Sequence, residues 1–362
     1  MRVLIVTGSF PPMRCGIGDY SQSLAEELAK NHNINVAILT SLTGKSRTKN
    51  SINVFEAIKK WEIINIFSAI KVIKNWNPDI VHIQYPTQGY GRGWLPYLLP
   101  MISFLMGKKI VQTWHEVHSR RDILELVLKS IVPSRLIFVR PQYKRMLHAC
   151  LHWALWKKQT AFIPNASVIP RIELSDQTRL SVKKLYLKNQ KRLVVFFGFV
   201  YPNKGVELLF EIANPASDQI VIAGGIDKDS EYAHEILELA SAESWRQKVT
   251  ILGFLPTYDV AALLTVADAV ILPFRTGGGE WNTSIHGAVL NGALVITTSL
   301  SQNGYDKKRN VYFAKVNDVQ EMKHALETYA GNRREYNFDI YGSEWVVIAE
   351  QHYLLYKNLL LS

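Results

Sequence analysis

The feature that most constrains this chain is a rhythm that runs through it twice. Short, almost wholly apolar runs recur, and each is followed by a stretch of helical period. In the first half the runs fall at residues 3–7 (VLIVT), 34–40 (INVAILT), 80–85 (IVHIQY), 109–114 (KIVQTW), 135–139 (RLIFV) and 161–164 (AFIP). Between them Tyr20, Leu24 and Leu28 form one helical stripe, Ile66, Ile70 and Ile73 form another, and residues 122–132 read as an amphipathic helix. A strand that is apolar on both sides has to be covered on both sides, and strands separated by helices pair in parallel. Residues 171–192 break the pattern with a polar, basic crossing that holds a short helix of its own. The rhythm then restarts at residues 192–198 (RLVVFFG), 219–225, 248–254, 268–274, 293–299 and 311–316. The chain therefore reads as α/β, with two doubly wound Rossmann-like domains in series that face each other across a cleft. Residues 1–170 form the acceptor-side domain and residues 171–340 the donor domain. Residues 341–362, aromatic and amphipathic, form a closing helix that docks back on the first domain. Ligands of such sheets sit beyond the carboxyl ends of the strands, so the loops to search are those that follow strands.

At 362 residues the chain can bury two cores. Its two cysteines, Cys15 and Cys150, offer no disulfide framework and no zinc spacing. With an apolar run at the N-terminus too short for a signal-peptide core, a reducing, cytoplasmic compartment is the expectation. The stretch WLPYLLPMISFLMG, residues 94–107, is too short to span a bilayer and carries two prolines. The formal charge of +11 calls for an anionic partner: nucleotide phosphates, a polyanionic product, nucleic acid or an acidic membrane surface. No basic–aromatic recognition module is present, so nucleic acid is not expected.

Four loops carry chemistry. After the first run comes GSFPPMRCGIGDYS, where two prolines stiffen the loop and Gly16 and Gly18 open it just before a helix. This suits either a pocket wall near a phosphate or sugar, or an ordinary strand-to-helix turn. After the fourth comes TWHEVHSRR, whose His115 and Glu116 can bond sugar hydroxyls, do acid–base work or serve the structure alone. In the second half, GFVYPNKG places Lys204 where a helix begins, a position suited to a diphosphate if the side chain is not simply solvated. Finally, RTGGGEWNTSIHGAVLNG sets Gly278, Gly279 and Glu280 before the capping residues Asn282, Thr283 and Ser284. A glycine-rich backbone running into a helix N-terminus makes an anion cradle, and a carboxylate beside it suits sugar hydroxyls or the helix dipole.

Taken in order, FPPMRCGIGDYSQSLAEEL, PDIVHIQYP, TWHE, FFGFVYPNKG and ADAVILPF followed by GALVITTS resemble the GT-B-fold glycosyltransferases of the family 4 type, which build bacterial surface polysaccharides. The resemblance covers nearly the whole chain. It implies a retaining transfer from a nucleotide-sugar donor to a glycan or lipid-linked saccharide acceptor, without cofactor or metal. Lys204 would bind the donor diphosphate, His115 the transferred sugar, and Glu280 the sugar hydroxyls. Gly16 and Gly18 would line the catalytic side, and Tyr85, Glu116 and Arg120 fall on the acceptor side. Two positions depart from the family pattern. Phe199 stands where an arginine usually follows the phosphate-loop glycine, and Gly287 stands where a second glutamate usually grips the ribose. Arg275, on the neighbouring loop, is the candidate to restore the missing charge. The alternatives are a non-catalytic relative that binds nucleotide sugars or glycans, or a sugar-nucleotide epimerase on the same fold. Residues 140–158 (RPQYKRMLHACLHWALWKK), read as one helix, mix bases with tryptophans. They suit either weak docking on an anionic inner-membrane face or a core helix with a solvated rim.

Overall fold

The computed structural model describes residues 1–361 except 32, 45–51, 142, 228, 279–281 and 334–343, and for Arg120 the backbone alone. The chain divides into two compact units, Met1–Ala166 with Ser343–Ser362, and Ser167–Gly342.

The first unit runs β1 (Arg2–Val6), α1 (Gly16–Leu28), β2 (Asn35–Ser41), β3 (Asn53–Ile58), α2 (Ile66–Trp76), β4 (Ile80–Tyr85), α3 (Leu95–Leu105) and β5 (Lys109–Trp114). It continues with α4 (Ile123–Ser130), β6 (Arg135–Phe138), α5 (Tyr143–Met146) and β7 (Gln159–Phe162). Its sheet is parallel throughout, in the order β3-β2-β1-β4-β5-β6-β7. Alternate residues of each strand face opposite sides and feed two cores. On one side Leu4, Val6, Val81 and Ile83 pack under α2, α3 and α4. On the other Val3, Ile5 and Ile38 pack under α1 and the last helix of the chain.

The second unit runs α6 (Asp176–Leu187), β8 (Arg192–Phe197), α7 (Leu209–Ile212), β9 (Asp218–Ala223), α8 (Glu231–Ser241), β10 (Val249–Gly253), α9 (Thr257–Val266) and β11 (Ala269–Leu272). Then follow α10 (Thr283–Leu290), β12 (Val295–Thr298), β13 (Gly304–Asp306), β14 (Val311–Ala314) and α11 (Val319–Tyr329). The sheet order is β10-β9-β8-β11-β12-β14-β13, with only the edge strand β13 antiparallel among the described pairings. The polar stretch read as a crossing is α6, which packs on α9 inside this unit and holds Asp268 through Lys183 at 2.5 Å.

The chain ends in α12 (Glu344–Leu361), which lies on α1 in the first unit. Its Tyr356 hydroxyl meets His82 Nδ1 at 2.7 Å, and its Ile348 and Ala349 are buried with Leu24 and Leu28. Residues 140–158 are not one helix. They form the four-residue α5 and a 3-10 segment over Ala149–Leu155. Leu147, Leu151 and Ala154 turn into the core, while Trp153 and Trp156 stay exposed.

Candidate functional site

In each sheet the strand order reverses beside the unit's first strand, between β1 and β4 and again between β8 and β11. Loops leaving neighbouring strands in opposite directions part there and open a crevice at the carboxyl edge.

In the second unit the loops after β8 and β11 are joined at that point. Arg275 N–H donates to the Asn203 carbonyl at 3.0 Å, and Lys204 Nζ stands 4.6 Å from the centre of the Phe274 ring. Gly205 has φ of 66°, and a Cβ there would lie 2.3 Å from the Pro273 carbonyl oxygen, so this close approach requires glycine. Gly198 faces Ser284 in the first turn of α10. Gly278 N–H donates to the Thr298 carbonyl at 2.6 Å, and any side chain there would strike Phe274 and Thr297. Asn282 caps α10, its side-chain oxygen accepting from Ser284 N–H at 3.0 Å. Lys204 and Gly278 both border Phe274, and Asn282, Thr283 and Ser284 open α10 at its electropositive end, where Ser284 faces Gly198. Gly279 and Glu280 lie outside the described residues.

Arg275, the candidate to restore the missing charge, is already engaged within the second unit. Its guanidinium donates to the Glu207 carboxylate and to Asn317 Oδ1, and Glu207 also accepts from the Tyr232 hydroxyl. The ion pair is satisfied locally. Phe199, in the usual arginine place, stacks on Tyr201 with centroids 5.7 Å apart, and its ring covers Gly225. At Gly287 a Cβ would come within 2.9 Å of Ser167 Oγ and 3.3 Å of Ile169. The usual place of the second glutamate is therefore filled by the chain itself. The sequence also holds one Asp-x-Asp triplet at residues 227–229. There Asp227 Oδ1 accepts from Asp229 N–H at 3.2 Å in the turn ahead of α8.

In the first unit His115 follows β5 at the carboxyl edge, its N–H bonded to the Tyr85 carbonyl at 2.7 Å. A buried chain of polar groups fixes its ring. His115 Nε2 lies 2.8 Å from Gln84 Oε1, Gln84 Nε2 lies 3.1 Å from His82 Nε2, and His82 Nε2 lies 2.7 Å from the Thr113 hydroxyl. An amide oxygen only accepts, so His115 Nε2 carries the proton and its Nδ1 keeps a lone pair. Burial pushes His115 down to about 3 and His352 down to about 4, with His82 well below its ordinary value. His115 is accordingly a neutral hydrogen-bonding group near pH 7, not an acid. The rest of its loop is tied down by Lys129 of α4, which bonds His118 and lies over the Tyr85 and Trp114 rings at 4.6 and 4.8 Å.

Tyr85, expected on the acceptor side, is a core residue: it is 1% exposed and its hydroxyl donates to the Pro96 carbonyl at 2.6 Å. Glu116 is exposed beside His115, and the Arg120 backbone starts the 3-10 turn ahead of α4. Gly16 opens α1, and Gly18 lets that helix approach the Ser9 carbonyl. Sequence reading passed over the next residue, Asp19. Burial raises its carboxyl to about 6 although it sits in the first turn of α1. The signal was the aspartate directly after Gly16-Ile17-Gly18, in a turn where a carboxylate ordinarily stays ionised.

Residues 191–332 match the family model described as glycosyl transferases group 1, and residues 18–131 match glycosyl transferase 4-like. The chain belongs to the GT-B glycosyltransferases of the family 4-like type. No curated protein matches the sequence of this glycosyltransferase. Among solved structures it resembles sucrose-phosphate synthase (tll1590) from Thermosynechococcus elongatus, with a TM-score of 0.70, 17% identity and 99% of each chain covered. It also resembles Anabaena Alr3699/HepE in complex with UDP and glucose, with a TM-score of 0.70, 14% identity, and 98% of this chain and 94% of that one covered. The catalytic domain of starch synthase IV from Arabidopsis thaliana, bound to ADP and acarbose, follows at 0.68 and 14%, covering 100% and 99%. At these identities the likeness is one of fold, and it places the two Rossmann-like units in the GT-B class.

Proposed function

We propose that this glycosyltransferase moves a sugar, with retention, from a nucleotide-sugar donor to a glycan or lipid-linked saccharide acceptor in bacterial surface-polysaccharide synthesis. The observation that carries the donor half is the meeting of the loops after β8 and β11 at the switch point, with Lys204 against the Phe274 ring and Gly198 facing Ser284 at the start of α10. A leaving diphosphate gathers negative charge as its bond to the sugar breaks. An ammonium and helix amides fixed beforehand stabilise that charge without reorganising. The UDP and glucose held by the Anabaena protein and the ADP held by the Arabidopsis one support a nucleotide-linked donor.

In the first unit the Nδ1 lone pair of neutral His115 accepts a hydroxyl of the transferred sugar. Retention follows from same-face attack, in which the acceptor oxygen bonds the sugar carbon as the diphosphate departs and takes the acceptor's proton. Lys204 and the α10 amides carry the charge, and the reading calls for no metal and no cofactor. The ribose contact differs from the family pattern because position 287 is a glycine, whose Cβ space is crowded by Ser167 and Ile169.

That same closure favours a second reading, a relative that binds nucleotide sugars without turning them over. A thermal-shift panel of UDP-, GDP-, ADP- and dTDP-sugars separates the cases when followed by donor turnover. A donor at about 100 times its Kd raises stability by about 2.7 kcal/mol. Stabilisation followed by release of nucleoside diphosphate, with the α-anomeric signal of the donor kept in the product, supports transfer. Stabilisation with no release over a day supports the binding protein.

A further inference from the structure

The amino edge of the first sheet, opposite the edge that carries His115, holds a cavity of about 480 Å³. That volume falls within the roughly 300–1,000 Å³ of small-molecule sites. Its walls include Arg2, Asn35 and Asn53, the first residues of β1, β2 and β3, and Trp76, the last residue of α2. The three strands are parallel, with Arg2 beside Asn35 and Asn53 beside Ala37. Register neighbours in parallel strands point the same way, and so do residues two apart in one strand. Arg2, Asn35 and Asn53 therefore stand on one face of the sheet. It is the face that continues inward as Leu4, Ala37 and Leu39, in the core under α2.

Arg2 is unsatisfied there. Its guanidinium carbon lies 4.7 Å from the centre of the Trp76 ring, so an aromatic face holds the charge. Its Nε is buried without a hydrogen-bond partner. Among the described residues no acceptor meets the rest of the guanidinium, and no group bonds the side-chain amides of Asn35 and Asn53, which are exposed. A buried donor left unpaired is costly, and a charged one more so, which calls for an acceptor that completes the set. The charges nearby decide what that acceptor is. Arg2 is the one charged residue that lines the cavity. Lys30, next to the lining Ala29, is paired with Glu27 at 2.5 Å. The Asp79 carboxylate, on the Arg2 backbone N–H at 2.7 Å, and the C-terminal ends of α1 and α2 add negative charge at this edge. Such an edge admits one negative charge opposite the guanidinium more readily than two, which selects a carboxylate over a phosphate dianion.

We infer that this cavity binds a hydroxylated carboxylate of the uronate-sugar class, on the edge of the sheet away from the transfer chemistry. A guanidinium and a carboxylate are both planar and meet in two parallel hydrogen bonds. The asparagine amides, each donor and acceptor at once, match the ring hydroxyls. A free sugar acid and a uronate at the end of a glycan share this chemistry. The inference is independent of the transfer reaction, because it is measured without donor or acceptor.

The test is saturation-transfer NMR of the full-length protein with glucuronate, with a disaccharide that ends in glucuronate, and with glucose as the uncharged control. Transfer to the two acids and not to glucose is the expected result, and the tighter of the two acids tells a metabolite from a glycan end. Arg2→Met keeps an apolar stem over Trp76 and weakens binding roughly 10-fold or more, the effect of losing a charge-assisted pair. Asn35→Ala with Asn53→Ala weakens it roughly 5-fold or more while the melting temperature is kept, since both side chains are exposed. Should Arg2→Met lower the melting temperature, the asparagine pair decides alone. No transfer to either acid, or equal transfer to glucose, overturns the inference. So does unchanged binding by the folded Arg2→Met protein or by the asparagine variant. Displacement of glucuronate by an equal concentration of inorganic phosphate also overturns it, since the site would then not select a carboxylate.

Discussion

At position 287 the space beside the backbone is crowded. Ser167 and Ile169 occupy the space a Cβ would need, and the two segments are packed by Asn291, whose amide donates to the Pro170 carbonyl at 3.1 Å. Gly287→Ala is therefore expected to cost about 1–3 kcal/mol, the price of overpacking, read as a lowered melting temperature. Gly287→Glu, which would restore the family pattern on paper, should destabilise at least as much and should not tighten nucleotide binding; tighter UDP or ADP binding by calorimetry would refute the closure. Nothing in the sequence announces this closure, because Ser167 lies far from Gly287 along the chain. The Arg275–Glu207 pair escaped for the same reason. By contrast Lys204 and the Asn282 cap were legible, since a strand, a glycine-bounded loop and a helix start are all local patterns. The buried histidines set a second expectation. His82, His115, His118 and His352 are all pushed below the ordinary 6.5 by burial. The unfolded chain thus takes up protons first, and stability present above about pH 6.5 is lost as pH falls toward 4. Asp19, raised to about 6, works in the opposite sense between about 4 and 6, one group against four. The melting temperature should fall steadily over that window. A flat or rising profile would contradict the burial of these rings.

Among the elements, α12 binds the start and end of the chain into one unit. Tyr356 is fully buried and its hydroxyl bonds His82, which in turn anchors Gln84 and His115. Tyr356→Phe keeps the packing but leaves His82 Nδ1 unpaired, so a loss of about 1–3 kcal/mol is expected. The same variant should raise the KM for donor more than it lowers kcat, because His115 is loosened and not removed. An unaltered melting curve would mean that the hydroxyl is dispensable. The closing helix itself was readable from its aromatic, amphipathic pattern. Strand β3 was not: Asn53–Ile58 sits at the sheet edge with a mostly half-buried pattern, so it lacks the continuous apolar run that marks its neighbours. The helix expected over residues 140–158 failed differently. One continuous helix was expected, docked on a membrane or facing the core with a solvated rim, whereas two short turns draw Leu147, Leu151 and Ala154 into the core.

For the whole molecule, a repeated run of apolar strands and helices is a global property of the sequence, which is why two parallel sheets could be expected from it. Charge is another: residues 91–166, all in the first unit, hold twelve Lys and Arg against three Asp and Glu. The division of labour between the units remains chemical. The first offers a neutral, fixed His115, and the second offers Lys204 at a helix N-terminus. The measurement that tests this account most directly is the rate of nucleoside diphosphate release from the stabilising donor by the unsubstituted protein and by Lys204→Ala, each checked by a melting curve. The account predicts a loss of roughly 10²-fold or more in turnover, since the ammonium acts on charge that grows as the bond breaks. Near-normal turnover by a folded Lys204→Ala protein would contradict it.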